Sequence, residues 1–370
     1  MSNLVQSAPP AGRIAGQEPL PALPGVPRAR KRGRLYVLDG LRLGAALMVV
    51  AFHYTAIGAE AWDRPAWTVF PEVSRFTSYG YLGVQLFFVI SGFVICMSAW
   101  GRPLKAFFVS RVVRLYPAYW FAVVATTVTL AVVPGERARL AWHEVLANLT
   151  MLQEPLGVRP VDAVYWTLFA ELRFYLLFAV LVWIGLTYQR VVLFCCVWGA
   201  ATILRAKAEP GPLRTLVMPE YSWFFIAGMA FYLMYRFRPN LLLFGIVGVS
   251  FCASLVPSME KFRHIPHINE QARWPVIAVI AVIFGVMALV ATGKLSGAQW
   301  RWLPVAGALT YPLYLLHEFI GWEVFGHFSP RGVHPWVLVG ATTAGMLVLS
   351  YLVHKAVETP LSRYLKRRLA

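Results

Sequence analysis

The chain alternates long apolar runs with short polar breaks. Runs bounded by charges and by Pro or Gly fall at 36–58, 80–99, 112–133, 163–186, 190–204, 219–235, 240–256, 273–292, 303–325 and 335–356. Most approach the ~20 residues that a helix needs to cross a bilayer; the run at 190–204 is the shortest. Within a run the apolar residues are continuous instead of alternating, which excludes a β-barrel. The expected fold is all-α, a polytopic transmembrane bundle of about ten helices. No repeat is visible, and no segment is left over for a soluble domain.

Composition agrees with this pattern. The 370 residues are 58% hydrophobic with a mean hydropathy of +0.59. Only 14% are charged, against about 25% in soluble proteins. The net charge of +17 would point to nucleic acid in a soluble protein. In a membrane chain it reads as basic cytoplasmic loops, so no nucleic-acid partner is expected, and the lipid bilayer is. Cys96, Cys195, Cys196 and Cys252 lie in apolar runs, without metal spacing or a disulfide framework, and read as small core residues. Residues 1–34, rich in Pro, Gly and Ala, lack a signal-peptide core and read as a disordered cytoplasmic tail ending in a basic cluster.

Charge asymmetry orients the bundle. One set of loops, with the 1–34 tail and the "RYLKRR" segment, holds 19 Lys/Arg and one acid, Glu18. The opposite loops hold 12 Lys/Arg balanced by 11 Asp/Glu. The first set should face the cytoplasm, although Arg205, Lys207 and Arg214 on the other side run mildly against it.

Several polar residues inside the apolar runs call for a reason. Arg42 and His53 are eleven apart, close to three full turns, so they share a helical face about 16 Å apart along the axis. Arg42 either snorkels or faces protein; His53 is either a satisfied core histidine or a functional one. Arg111 and Arg114 are three apart on one face, at what reads as a helix start suited to anions. They are phosphate ligands or ordinary positive anchors. Glu171, inside the fourth run, is costly unless paired. Tyr175 lies one turn on, and Arg173 points away and needs its own partner. His317 and Glu318 fall in the ninth run. By depth His53, Glu171 and His317 form an outer layer, and Arg42, Arg111 and Arg114 an inner one. Asp39 and Glu358 could cap or pair with that inner layer. "GYLGVQLFFVISGF" carries small residues that permit close helix packing and reads as mostly structural; Ser91 lacks a G-x-S-x-G elbow, which argues against a serine hydrolase.

The segments "LDGLRLGAALMVVAFHY", "GVQLFFVISGFVI", "FFVSRVVRLYPAYW", "YWTLFAELRFYLLF" and "LTYPLYLLHEF" resemble, in order and spacing, the acyltransferase-3 family. These are bacterial integral-membrane O-acyltransferases that modify surface polysaccharides, lipopolysaccharide, Nod factors and macrolide sugars. The resemblance covers about residues 35–365. It implies acyl-CoA as donor, with acetyl-CoA expected and no metal, and a carbohydrate or glycosylated small molecule as acceptor. It also implies location in the bacterial cytoplasmic membrane. The chain departs from its relatives at Gln85, where many carry an acid, and is expected to lack the extracytoplasmic esterase-like domain of some. With the resemblance, His53, Glu171 and Arg42 become the expected catalytic residues and Arg111 and Arg114 the acyl-CoA ligands. Tyr175, Trp166 and His317 are the expected substrate contacts. His53 would act as general base or carry the acyl group transiently, and Glu171 would orient a histidine or the acceptor. The competing reading is a proton-coupled transporter or exporter of a glycan or metabolite, since intramembrane His, Glu and Arg also make proton relays. Inverted repeats would favour it, and none is visible.

With both termini cytoplasmic, a cysteine introduced at 136–140 should react with an impermeant thiol reagent in intact cells. Protection there, with labelling at the C-terminus, would overturn the orientation.

Overall fold

Each of the ten apolar runs is helical in the computed structural model, which describes residues 35–133, 140–205, 209, 211–263, 265 and 273–369. The helices are α1 (Tyr36–Thr55), α2 (Gly83–Ala99), α3 (Leu104–Val132), α4 (Trp166–Ile184), α5 (Tyr188–Arg205), α6 (Ser222–Arg236), α7 (Leu241–Arg263), α8 (Trp274–Thr292), α9 (Leu303–Phe328) and α10 (Pro335–Val353). A turn of π-helix, His354–Glu358, leads into α11 (Thr359–Leu369). No strand occurs among the described residues. Among the described residues eight spans are long and apolar enough to cross a membrane, with α5 and α9 outside that set. The fold is thus an all-α polytopic bundle. The tail at 1–34 and the segment 134–139 lie outside the described residues.

Burial separates inner from outer helices. The span containing α2 has 78% of its apolar window buried and that containing α6 has 83%, against 22% for α7 and 28% for α10. So α2 and α6 form the centre, and α7 and α10 present apolar surface outward. Exposed tryptophans mark the helix ends: Trp183 and Trp302 on one side, Trp274 and Trp336 on the other. Paired aromatic belts are what two membrane interfaces favour. Two cysteines depart from the core reading, because Cys196 and Cys252 are exposed on α5 and α7.

Close approach at the centre depends on glycine. A Cβ at Gly92 of α2 would run into the Phe225 carbonyl of α6. A Cβ at Gly228 of α6 would run into the Val89 carbonyl and lie 2.9 Å from Gly92 Cα. The backbones touch directly, as small residues allow between membrane helices.

The third helix starts earlier than expected. It begins at Leu104, so Arg111 and Arg114 stand in its second and third turns and not at its free N-terminus. The helix-end contribution to anion binding therefore falls away, leaving the side chains. Leu104 follows Pro103, a natural stop on the helix's extension backwards. Pro117 sits inside the helix and has no N–H for the Val113 carbonyl. The Ser362 hydroxyl of α11 donates to that carbonyl at 2.8 Å. The break in the ladder thus becomes a tie between α3 and the C-terminal helix.

Gly228→Ala should cost about 1–3 kcal/mol, the scale of overpacking, and lower the unfolding temperature in detergent. Gly245→Ala, where nothing lies within 4 Å, should leave it unchanged or raised. Equal behaviour of the two variants would remove the case for direct contact between α2 and α6.

Candidate active site

A cavity of about 360 Å³ runs through the bundle between α1, α2, α3, α4 and α9. Its lining on α2 extends from Val84 to Ile95, eleven residues or about 16 Å. At one end stand Arg42, Arg111 and Arg114; at the other, Thr167 and Tyr314, whose hydroxyls are 3.0 Å apart. Val84, Phe87, Phe88, Val94 and Ile95 form an apolar wall between.

The three arginines differ in how they are compensated. Arg114 Nη1 donates to Glu358 Oε1 at 2.6 Å, and Glu358 Oε2 lies 3.0 Å from His354 Nδ1. Arg42 has a looser partner in Asp39, 3.8 Å away. Arg111 donates to hydroxyls, Ser98 at 3.2 Å and Ser110 at 3.1 Å, and its guanidinium lies 5.9 Å from the Tyr175 ring. No carboxylate forms an ion pair with Arg111 among the described residues. Tyr311 also lines the cavity, with the Arg114 guanidinium 5.8 Å from its ring. Its buried hydroxyl has no hydrogen-bond partner among the described residues.

Glu171 belongs to this chamber and not with the histidines. It accepts from the Ser91 hydroxyl at 2.5 Å and lines the cavity one helical turn from Tyr175. Among the described residues no histidine bonds to it, so the common depth of Glu171 and the histidines does not bring them together. Ser91, one helical turn from the wall residues Phe87 and Ile95, lines the cavity too and is more than packing. Arg173 turns away, donating to the Thr215 carbonyl at 2.8 Å and lying 4.5 Å from the Phe169 ring centre.

The histidines meet beyond Tyr314. His53 Nδ1 is 2.9 Å from His317 Nε2, and His317 Nδ1 is 2.8 Å from the Tyr314 carbonyl. Tyr54 donates to the His317 carbonyl at 2.8 Å, and Trp322 to the His53 carbonyl at 2.9 Å. These two bonds clamp α1 against α9. His53 Nε2 faces Glu318 Oε1 at 3.7 Å. Behind Glu318 lies Asp162, which closes the loop ahead of α4 and accepts from the same Val164 N–H as Glu318. Burial and the neighbouring carboxyl hold Asp162 well above the usual carboxylate range.

Of the eight expected site residues, five line one cavity: Arg42, Arg111, Arg114, Glu171 and Tyr175. His53 and His317 bond to one another outside its lining. Trp166 lines neither. It packs 5.0 Å from Tyr221 with the Lys261 ammonium 4.2 Å from its ring centre, a cation held on an aromatic face. Asp162 is a site residue that the sequence did not single out; it accepts the Val164 N–H at 3.1 Å.

Comparison with known proteins finds acyltransferases. The chain is 25% identical over 375 residues to acyltransferase MdmB of Streptomyces mycarofaciens, covering 90% of this chain and 93% of that protein. It is 22% identical over 381 residues to putative peptidoglycan O-acetyltransferase YrhL of Bacillus subtilis (strain 168). That alignment takes in 90% of this chain but 56% of the longer protein. No solved structure matches. The acyltransferase domain family matches residues 35–355, nearly the whole described bundle, and the chain belongs to that acyltransferase-3 family.

Proposed function

We propose that this protein is a membrane O-acyltransferase that moves an acyl group, acetyl in the simplest case, from acyl-CoA to a hydroxyl of a carbohydrate or glycosylated small molecule. The reading rests above all on one cavity with arginines at one end and a histidine pair beyond the other. Guanidinium forks match phosphate oxygens, and Arg111, without a carboxylate partner, is the first candidate for them. The unmatched Tyr311 hydroxyl beside Arg114 offers a further donor to a phosphate or carbonyl oxygen. The apolar wall suits an extended thioester arm, with Thr167 and Tyr314 at its far end. Charge asymmetry of the loops supports a cytoplasmic arginine end, where acyl-CoA would enter, and both termini on that side. The YrhL name supports a glycan among the acceptors considered.

In this reading His53 Nε2 takes the acceptor's hydroxyl proton as the oxygen attacks the thioester carbonyl. The C–S bond then breaks and the proton passes to the sulfur, releasing CoA as its thiol. The balance is one alcohol and one thioester in, one ester and one thiol out. Ser91, Glu171 and Tyr175 line the cavity wall beside Arg111.

His53→Ala should lower turnover by ~10²–10⁴, the scale of a lost general base, while insertion and detergent elution stay normal. Near-normal turnover in a correctly inserted variant would return His53 to a packing role. Arg111→Lys keeps the charge and loses the fork, so it should raise the apparent constant for acyl-CoA about tenfold or more. Arg114→Lys should raise it less, because lysine can keep the Glu358 ion pair. Unchanged acyl-CoA titrations in both variants would leave the pair as membrane anchors.

A further inference from the structure

The hydrogen bonds around His53 fix where its protons lie. A backbone carbonyl only accepts, so His317 carries its proton on Nδ1, towards Tyr314. Neutral His317 then has a lone pair on Nε2, which accepts from His53 Nδ1–H at 2.9 Å. That leaves the lone pair of His53 on Nε2, the atom opposite Glu318 Oε1 at 3.7 Å.

That separation is too long for a hydrogen bond and within reach of an ion pair. A neutral Nε2 gains little from the carboxylate. A protonated one gains a Coulomb partner in a site where His53 is 9% exposed and Glu318 4%. The interaction therefore strengthens as the proton arrives, which is the condition for lowering a barrier without tightening the ground state.

The carboxylate is held to that task. Glu318 Oε2 accepts the Val164 N–H at 3.1 Å, so Oε1 is the oxygen left to face His53. Asp162, 1% exposed, accepts from Val164 N at 3.1 Å and from Phe319 N at 3.2 Å. Asp162 and Glu318 thus accept from the same Val164 N–H, and Asp162 also ties Phe319, the residue after Glu318, to the 162–164 turn.

We propose that Glu318, locked in place by Asp162, is a positioning residue that stabilises the protonated form of His53 during acyl transfer. This rests on the reading of His53 as general base. The acceptor O–H bond breaks and Nε2–H forms, opposite Glu318. When the C–S bond breaks, the same proton passes from Nε2 to sulfur.

The test is steady-state kinetics on the full chain in detergent, comparing Glu318→Gln, Glu318→Asp and His53→Ala. The acceptor is first identified as the metabolite or glycan whose acyl mass disappears without the protein. Glu318→Gln should lower kcat about tenfold or more, the scale of one close charge pair. The constants for acyl-CoA and acceptor, and the unfolding temperature, should stay near those of the parent. Glu318→Asp should recover part of the lost kcat. An unchanged kcat in Glu318→Gln, with His53→Ala inactive, overturns this inference and leaves the base intact. Full activity in His53→Ala overturns both. Equal losses of unfolding temperature and activity in the Gln and Asp variants would make Glu318 a structural tie between the 162–164 turn and α9, and would overturn it too.

Discussion

A charge inside an apolar bundle must be compensated by protein, because no water is there to do it. Much of the helix arrangement follows from this demand. The Arg114 guanidinium draws the 354–358 π-turn onto α3 through Glu358. Glu171 joins α4 to α2 through Ser91. Asp162 and Glu318 join the turn ahead of α4 to α9, partly through backbone N–H groups. Each link spans helices far apart in sequence, so the polar contacts specify a packing that apolar surfaces alone leave degenerate, since lipid tails compete for those surfaces equally well.

The same demand divides the interior into two chemistries. The arginine end is balanced by carboxylates and hydroxyls of unequal strength, with Arg111 the least compensated of the three. The histidine end is a closed chain of donors and acceptors from the Tyr314 carbonyl to His53, with one lone pair unclaimed. Thr167 and Tyr314 stand between the two. Tyr314 serves both, since its ring lines the cavity and its carbonyl fixes the His317 tautomer.

The helices were legible in the sequence because bilayer thickness sets their length and apolarity sets their position. Shared faces were legible as well: Arg111 and Arg114 three apart do line one chamber. Boundaries were less so, and α3 begins eight residues before the run that marked it, because Lys105 and Arg111 mask its first turns. Partners were the least legible part. Glu171 finds Ser91 and Tyr175, where depth along separate helices had suggested a histidine. Asp162 gave no sign of its role because one of its partners, Phe319, lies 157 residues further on. Helix neighbours across a bundle leave no local trace.

The spacing of these partners has a consequence for biogenesis. Glu358 follows Arg114 by 244 residues, and His317 follows His53 by 264. At a synthesis rate of about 5–20 residues per second, Arg114 waits roughly 12–50 s for its counter-ion. Arg114 therefore enters the bilayer before its counter-ion exists, and until then its favourable place is the aqueous edge. Until the last helix arrives, Arg114 can act only as a basic anchor at that edge, and its place in the chamber wall waits on Glu358.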